Sequence, residues 1–447
     1  MDKALLAALA LAGLTSMQAQ AIEPAPADIA AETAPVPTAC PPGVGEGATC
    51  LAGRDREGAF YLIAMPKAWN GDLVLHAHGG PFLGAPTARR VAEDLERWSV
   101  MPRLGYAWAA SSYRQGGVAV SAAAQDTERL RQIFIAKVAK PKHVWLHGQS
   151  WGASVAAKGA ELFAEGRPYD AVLLTSGVLG GGTRSYDFRL DLRVVYQYLC
   201  HNHPLPSEAQ YPLNIGLPAD AKLTPAYLGR RLDDCLGLDK PAAQRTAEQA
   251  AKVKTLVDVI HIPERSIGSH LNWATWHFQD ITLKRTGGAS PFGNAGVRYS
   301  GSTDDEALNA GVSRYTADPK AVAMLAADTD LGGHIPVPVL TVHAIHDPTA
   351  MVELQESFGH AMAAAGHADG LVQTYTGDRD HSYLSDPTYA ALMEALVAWA
   401  TQGRKPTPDG IAAACEKARV VLGSSCRFEP GYMPQPLETR VPPRATP

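Results

Sequence analysis

The chain has 447 residues, 40 basic against 45 acidic side chains, a formal net charge of −5 and a 46% hydrophobic composition. That length supports one large α/β domain with an inserted segment, and the mild acidity without a dense Lys/Arg block argues against a nucleic-acid partner. Beyond residue 21 no apolar run is long enough for a transmembrane helix, so no membrane span is expected.

Residues 1–21 read as a signal peptide. Lys3 precedes an apolar run over 4–14, and Ala19-Gln20-Ala21 offers small residues for cleavage before Ile22. The mature chain is then expected to be exported, periplasmic or extracellular. Residues 22–57 form an N-terminal extension. All six cysteines lie beyond the cleavage site, in three sequence-local pairs. An even count in an exported chain points to disulfides, and proximity favours Cys40–Cys50, Cys200–Cys235 and Cys415–Cys426 among the possible connectivities. No C-x-x-C pair or metal spacing occurs, so neither a metal nor a cofactor is expected.

A first core segment runs over 58–179. The pattern predicts a strand over 58–65, a turn at Asn70-Gly71 and a second strand over 72–77. That strand ends at His78-Gly79-Gly80-Pro81. Backbone N–H groups of such a loop can stabilise an oxyanion, and Pro81 has none, which makes Gly80 the candidate donor. His76 and His78 share one face of the strand and could chelate a metal, but nothing nearby completes a ligand set, so packing is the preferred reading. A strand over 106–113 and a helix over 126–137 follow.

The organising stretch is Val144 to Ala153, V-W-L-H-G-Q-S-W-G-A. A β-type run enters Gly148-Gln149-Ser150-Trp151-Gly152, and helix-forming residues leave it. G-x-S-x-G between strand and helix is the context of a nucleophile elbow, with Ser150 as nucleophile and the Trp151 N–H as second oxyanion donor. The glycines are needed because residues flanking so sharp a turn crowd together. With a strand over 171–176, the β-α-β rhythm implies a mostly parallel sheet flanked by helices.

Over 180–335 the rhythm stops, and the stretch reads as a large, mainly helical lid insertion, with helices over 188–200 and 242–259. Its aromatic cluster at 273–278 is expected mostly to pack inside the insertion, and 288–302 reads as a long ordered loop of unassigned purpose. The core resumes over 336–402 with an apolar strand over 337–345 that ends at His346-Asp347-Pro348. A helix over 351–365, a strand over 371–375, the loop carrying His381 and a helix over 387–400 complete it. Ser150, Asp347 and His381 thus occur in the order nucleophile, acid, base. His381 would take the serine proton, and Asp347 would fix the imidazole tautomer. Asp378 and Asp380 are rival acids on the histidine's own loop, while Asp330 precedes the strand rather than following it. His360 and His367 fall on or beside a surface helix, and His343 and His346 flank the acid and would pack or orient it. The tail over 403–447, with Cys415 and Cys426, reads as structural wrapping.

These motifs resemble those of the α/β-hydrolase superfamily over roughly residues 58–401. Gly79-Gly80-Pro81 with Gly148-Gln149-Ser150-Trp151-Gly152 is similar to the prolyl aminopeptidase branch, although that branch has glycine where this chain has Phe82. The Trp69-Asn70-Gly71 turn and the cysteine-bearing tail look more like secreted bacterial carboxylesterases. The resemblance implies an α/β-hydrolase fold and a serine hydrolase acting on a small or polymeric ester. The alternatives are an exopeptidase with the same triad and a non-catalytic binding module. Acidic residues near Ser150 would favour a peptide with a free amino terminus; an apolar groove would favour an ester.

Overall fold

A computed structural model describes residues 26–444; the signal-peptide stretch lies outside the described residues. Among the described residues nine strands form one sheet: β1 Val36–Thr38, β2 Thr49–Arg54, β3 Phe60–Met65, β4 Leu73–Ala77, β5 Ala107–Ser111, β6 Val144–Gln149, β7 Ala171–Thr175, β8 Val339–Ala344 and β9 Leu371–Thr376. Their spatial order is β1-β2-β3-β5-β4-β6-β7-β8-β9. The first three pair antiparallel, β3 meets β5 antiparallel, and every pairing from β5 to β9 is parallel. This is the α/β-hydrolase fold.

The Asn70-Gly71 turn does not make a hairpin, because β5 lies between β3 and β4. Leu73 and Leu75 pair instead with Ala107 and Ala109 on one side and with Val144 and Leu146 on the other. Strands β4, β5, β6, β7 and β8 are buried along their whole length, as a parallel sheet covered on both faces requires. One face packs against helices Val120–Lys137, Trp151–Leu162 and Leu354–Ala364, through Ile133, Phe134, Val155 and Phe358. The other packs against Ala88–Arg97 and Asp386–Gln402, through Leu95, Leu392 and Leu396. The helix expected over 126–137 begins at Val120, because Val120, Ala123 and Ala124 are buried with the rest of its apolar face.

Between β7 and β8 lies a segment with its own apolar cluster, built mainly from helices Asp187–Cys200, Pro225–Leu236, Ala247–Ile260 and Ile267–Asp280. The three disulfides are Cys40–Cys50, Cys200–Cys235 and Cys415–Cys426. Cys200–Cys235 ties the ends of two helices of this segment. The C-terminal stretch runs from helix Pro408–Leu422 back to the inserted segment. There Leu437 and Val441 join its apolar cluster, and Arg444 Nη2 lies 2.7 Å from Asp191 Oδ2. Among the described residues no helix is long and apolar enough to cross a membrane.

Candidate active site

β6 delivers Ser150 to a turn where its backbone takes φ 58° and ψ −123°, a left-handed φ that a side chain seldom adopts. The turn closes because glycines flank it. A Cβ on Gly148 would lie 2.3 Å from the Gly152 carbonyl oxygen, and one on Gly152 would lie 2.1 Å from that of Ala77. Gly152→Ala is therefore expected to cost about 3 kcal/mol or more of stability, read as a lower denaturant midpoint at unchanged slope. An unchanged midpoint would contradict the tight β4–elbow contact.

Ser150 Oγ lies 2.6 Å from His381 Nε2, and His381 Nδ1 lies 2.7 Å from Asp347 Oδ2. A carboxylate only accepts, so Nδ1 carries the proton, and Nε2 accepts from the serine hydroxyl. The three side chains come from the ends of three different strands, β6, β8 and β9. Asp347 is buried, and its other oxygen, Oδ1, accepts the Thr349 N–H at 2.7 Å and the Ala350 N–H at 2.9 Å. His343 sits behind it, with Nε2 donating to the Ala350 carbonyl at 3.0 Å and Nδ1 accepting from Gln355 at 2.9 Å. It thereby supports the Asp347 turn. The rival carboxylates lie elsewhere: Asp378 pairs with Arg427, and Asp330 accepts from Thr183. His360 is exposed beside Glu356.

Gly79, Gly80 and Trp151 line the cavity at Ser150. A Cβ on Gly79 would meet Gln149 Oε1 at 2.3 Å and Ser150 Cβ at 3.0 Å, so this backbone passes against the serine only because it is glycine. Gly80 takes φ 74°. Trp151 opens the helix Trp151–Leu162, so its N–H has no acceptor a turn earlier. Gln149, to which the sequence assigned no role, donates to the His381 carbonyl at 3.3 Å and braces the histidine loop.

Beneath the elbow, His76 Nδ1 and His147 Nδ1 lie 2.9 Å apart, fully buried between Trp98, Trp108 and Tyr389. His78 stacks on Tyr113. These histidines pack among aromatic rings. Burial holds His147 down at about 3 and His76 well below 6.5. Unfolded, both titrate near 6.5, so their contribution to stability is full above that pH and is lost as the pH falls toward 3. The double variant His76→Leu/His147→Leu is expected to flatten the acid-side fall of the melting temperature between about pH 6.5 and 4. An acid slope equal to that of the wild type would contradict this.

A cavity of 830 Å³ opens above Ser150 and His381. The helix Ile267–Asp280 presents His270, Trp273 and His277 on one face. His270 Nε2 donates to the Pro348 carbonyl at 3.0 Å and His277 Nε2 donates to that of Pro81 at 2.8 Å. One helix of the inserted segment is thus fastened to the acid turn and to the glycine loop. Burial pushes both rings well down, to about 3 and about 4, so they stay neutral donors. Trp273, Trp276 and His277 line the cavity, and only Phe278 of the clustered rings is core, stacked on Phe292. The expectation that these aromatics mostly pack inside the insertion holds for Phe278 and in part for Trp273 and Trp276, which pack against its apolar core and also line the cavity. The residues lining the cavity include Arg90, Arg97 and Arg189 but no aspartate or glutamate.

No family model matches the chain, and no curated protein matches it. Solved structures of similar fold include an esterase from Aspergillus oryzae, at 12% identity over 84% of this chain and 85% of that one, with a TM-score of 0.41. The rice cell wall degrading esterase LipA from Xanthomonas oryzae, in a ligand-bound form, gives 13%, 79%, 89% and 0.36 on the same measures. Tannin acyl hydrolase from Aspergillus niger gives 10%, 80%, 79% and 0.40. Likeness at this level carries no information about substrate, and the functional reading rests on the site itself.

Proposed function

We propose that this chain is an exported serine hydrolase that cleaves carboxylic esters through an acyl-enzyme intermediate, with Ser150 as nucleophile, His381 as general base and acid, and Asp347 as its orienting carboxylate. The observation that carries the reading is the continuous Ser150–His381–Asp347 hydrogen-bond chain at 2.6 and 2.7 Å on the floor of an 830 Å³ cavity. As Ser150 Oγ attacks the ester carbonyl, His381 Nε2 takes its proton and Asp347 stabilises the imidazolium. The N–H groups of Gly80 and Trp151 receive the developing oxyanion. Collapse expels the alcohol, protonated by His381, and water repeats the sequence to release the acid. The segment over 180–335 acts as a cap that shapes the cavity. Three disulfides support export, since such bridges persist in oxidising compartments.

The cavity lining favours an ester over a peptide with a free amino terminus. An ammonium group would need a carboxylate at this wall, and the lining residues supply arginine and aromatic rings instead. Initial rates on p-nitrophenyl acetate, butyrate and octanoate, beside prolyl and alanyl p-nitroanilides, test this. Fast ester turnover without anilide turnover is expected; preferential anilide cleavage would overturn the assignment.

A further inference from the structure

Arg189 lies on the helix Asp187–Cys200, is only 4% exposed and lines the cavity above Ser150. Its guanidinium is covered by rings: Trp273 at 4.4 Å, Phe188 at 4.6 Å and Tyr186 at 5.5 Å from their centroids. Burial lowers its pKa to about 10, which leaves it charged at neutral pH, and no carboxylate pairs with it among the described residues. Aromatic faces attract the cation but accept none of its in-plane N–H bonds. Nη1 donates to the Ser185 carbonyl at 3.1 Å, and Nε is sealed in without an acceptor. No hydrogen bond holds Nη2 among the described residues, and Arg189 lines the cavity.

An unpaired buried cation is costly, and here the other cations are better provided for. Arg90 lies 3.5 Å from Asp94 and donates to the Gly79 carbonyl, and Arg97 approaches the same carboxylate at 3.9 Å. Even so, two arginines share one aspartate, and the lining carries no carboxylate to balance Arg189.

We propose that Arg189 is a specificity-determining residue that binds a carboxylate carried by the ester substrate, so that the preferred substrates are anionic esters. The proposal rests on the ester-hydrolase reading above and adds the substrate class. A guanidinium held rigid by three rings would receive a carboxylate through its open nitrogen without further ordering, and a neutral ester would leave that N–H unmatched.

Two matched pairs of esters test it and distinguish the side of the scissile bond that bears the charge. On the acyl side, p-nitrophenyl hydrogen adipate is compared with p-nitrophenyl hexanoate. On the alcohol side, 4-butyryloxybenzoate is compared with its methyl ester, spontaneous hydrolysis being subtracted throughout. Wild-type protein is expected to favour the anionic member of one pair by about tenfold or more in kcat/KM. In Arg189→Met and Arg189→Gln that ratio is expected to fall by about tenfold or more, with Arg189→Lys intermediate. Because each variant is read as a ratio on its own protein, a general loss of activity cancels. Competitive inhibition of neutral-ester turnover by benzoate, but not by benzamide, gives the same reading without any substitution. Ratios near one in both pairs, ratios unchanged in the variants, or equal inhibition by benzoate and benzamide would overturn the proposal while leaving the esterase reading intact. Failure to turn over any of the four esters would overturn the esterase reading, and this proposal with it.

Discussion

Ser150→Ala is expected to lower kcat on p-nitrophenyl butyrate by about a million-fold while leaving the fold in place. The hydroxyl lies 2.6 Å from His381 Nε2 on the floor of the cavity, and its removal leaves the imidazole nothing to deprotonate but water. The change is also structurally mild. Ser150 holds its turn through backbone contacts, its N–H donating to the Thr175 carbonyl at 2.9 Å and its carbonyl accepting the Val178 N–H at 3.1 Å. Alanine keeps both. The measurement is steady-state kinetics beside a thermal melt. A variant that melts like wild type and retains more than about a hundredth of its activity would mean that another group attacks the ester.

Asp347→Asn is expected to cost about ten-thousand-fold in kcat, for a reason visible in the hydrogen bonds. Oδ1 of Asp347 is held by two backbone donors, the N–H groups of Thr349 and Ala350, so an asparagine must place its carbonyl oxygen there. Its NH₂ then faces His381 Nδ1, where Asp347 Oδ2 now accepts at 2.7 Å. A donor at that position forces the proton onto Nε2, the nitrogen that must take the serine proton. The residue is isosteric and the turn is kept, yet the base is disabled. Activity within about tenfold of wild type would show that Asp347 does not set the tautomer.

The residues of this site were legible because each stands at the end of an element whose pattern is local. Ser150 is bracketed by glycines between an apolar run and a helix former, Asp347 closes the buried run of β8, and His381 follows β9. What the inserted segment presents to the cavity was not legible in the same way. Spacing shows that His270, Trp273 and His277 share a helix face, but not that this face meets Pro348 and Pro81 rather than a neighbouring helix. Arg189 was obscured further. It sits in a helix that mixes charged and apolar residues, where a cation reads as a solvated position, and only the folded packing reveals that the stretch is buried and that no carboxylate reaches it. The place of β5 between β3 and β4 was hidden for a related reason: Asn70-Gly71 is a good local turn, and strand pairing is decided by burial on both faces of the sheet.

The most direct test of the central claim is to trap the nucleophile. The protein is treated with a fluorophosphonate probe, digested, and mapped by mass spectrometry, with Ser150→Ala treated in parallel. One adduct per chain on the peptide containing Ser150, absent from the variant, is the result expected of a serine that attacks ester carbonyls. A label on a different residue, or the same label surviving in the variant, would contradict the assignment of Ser150 as the nucleophile.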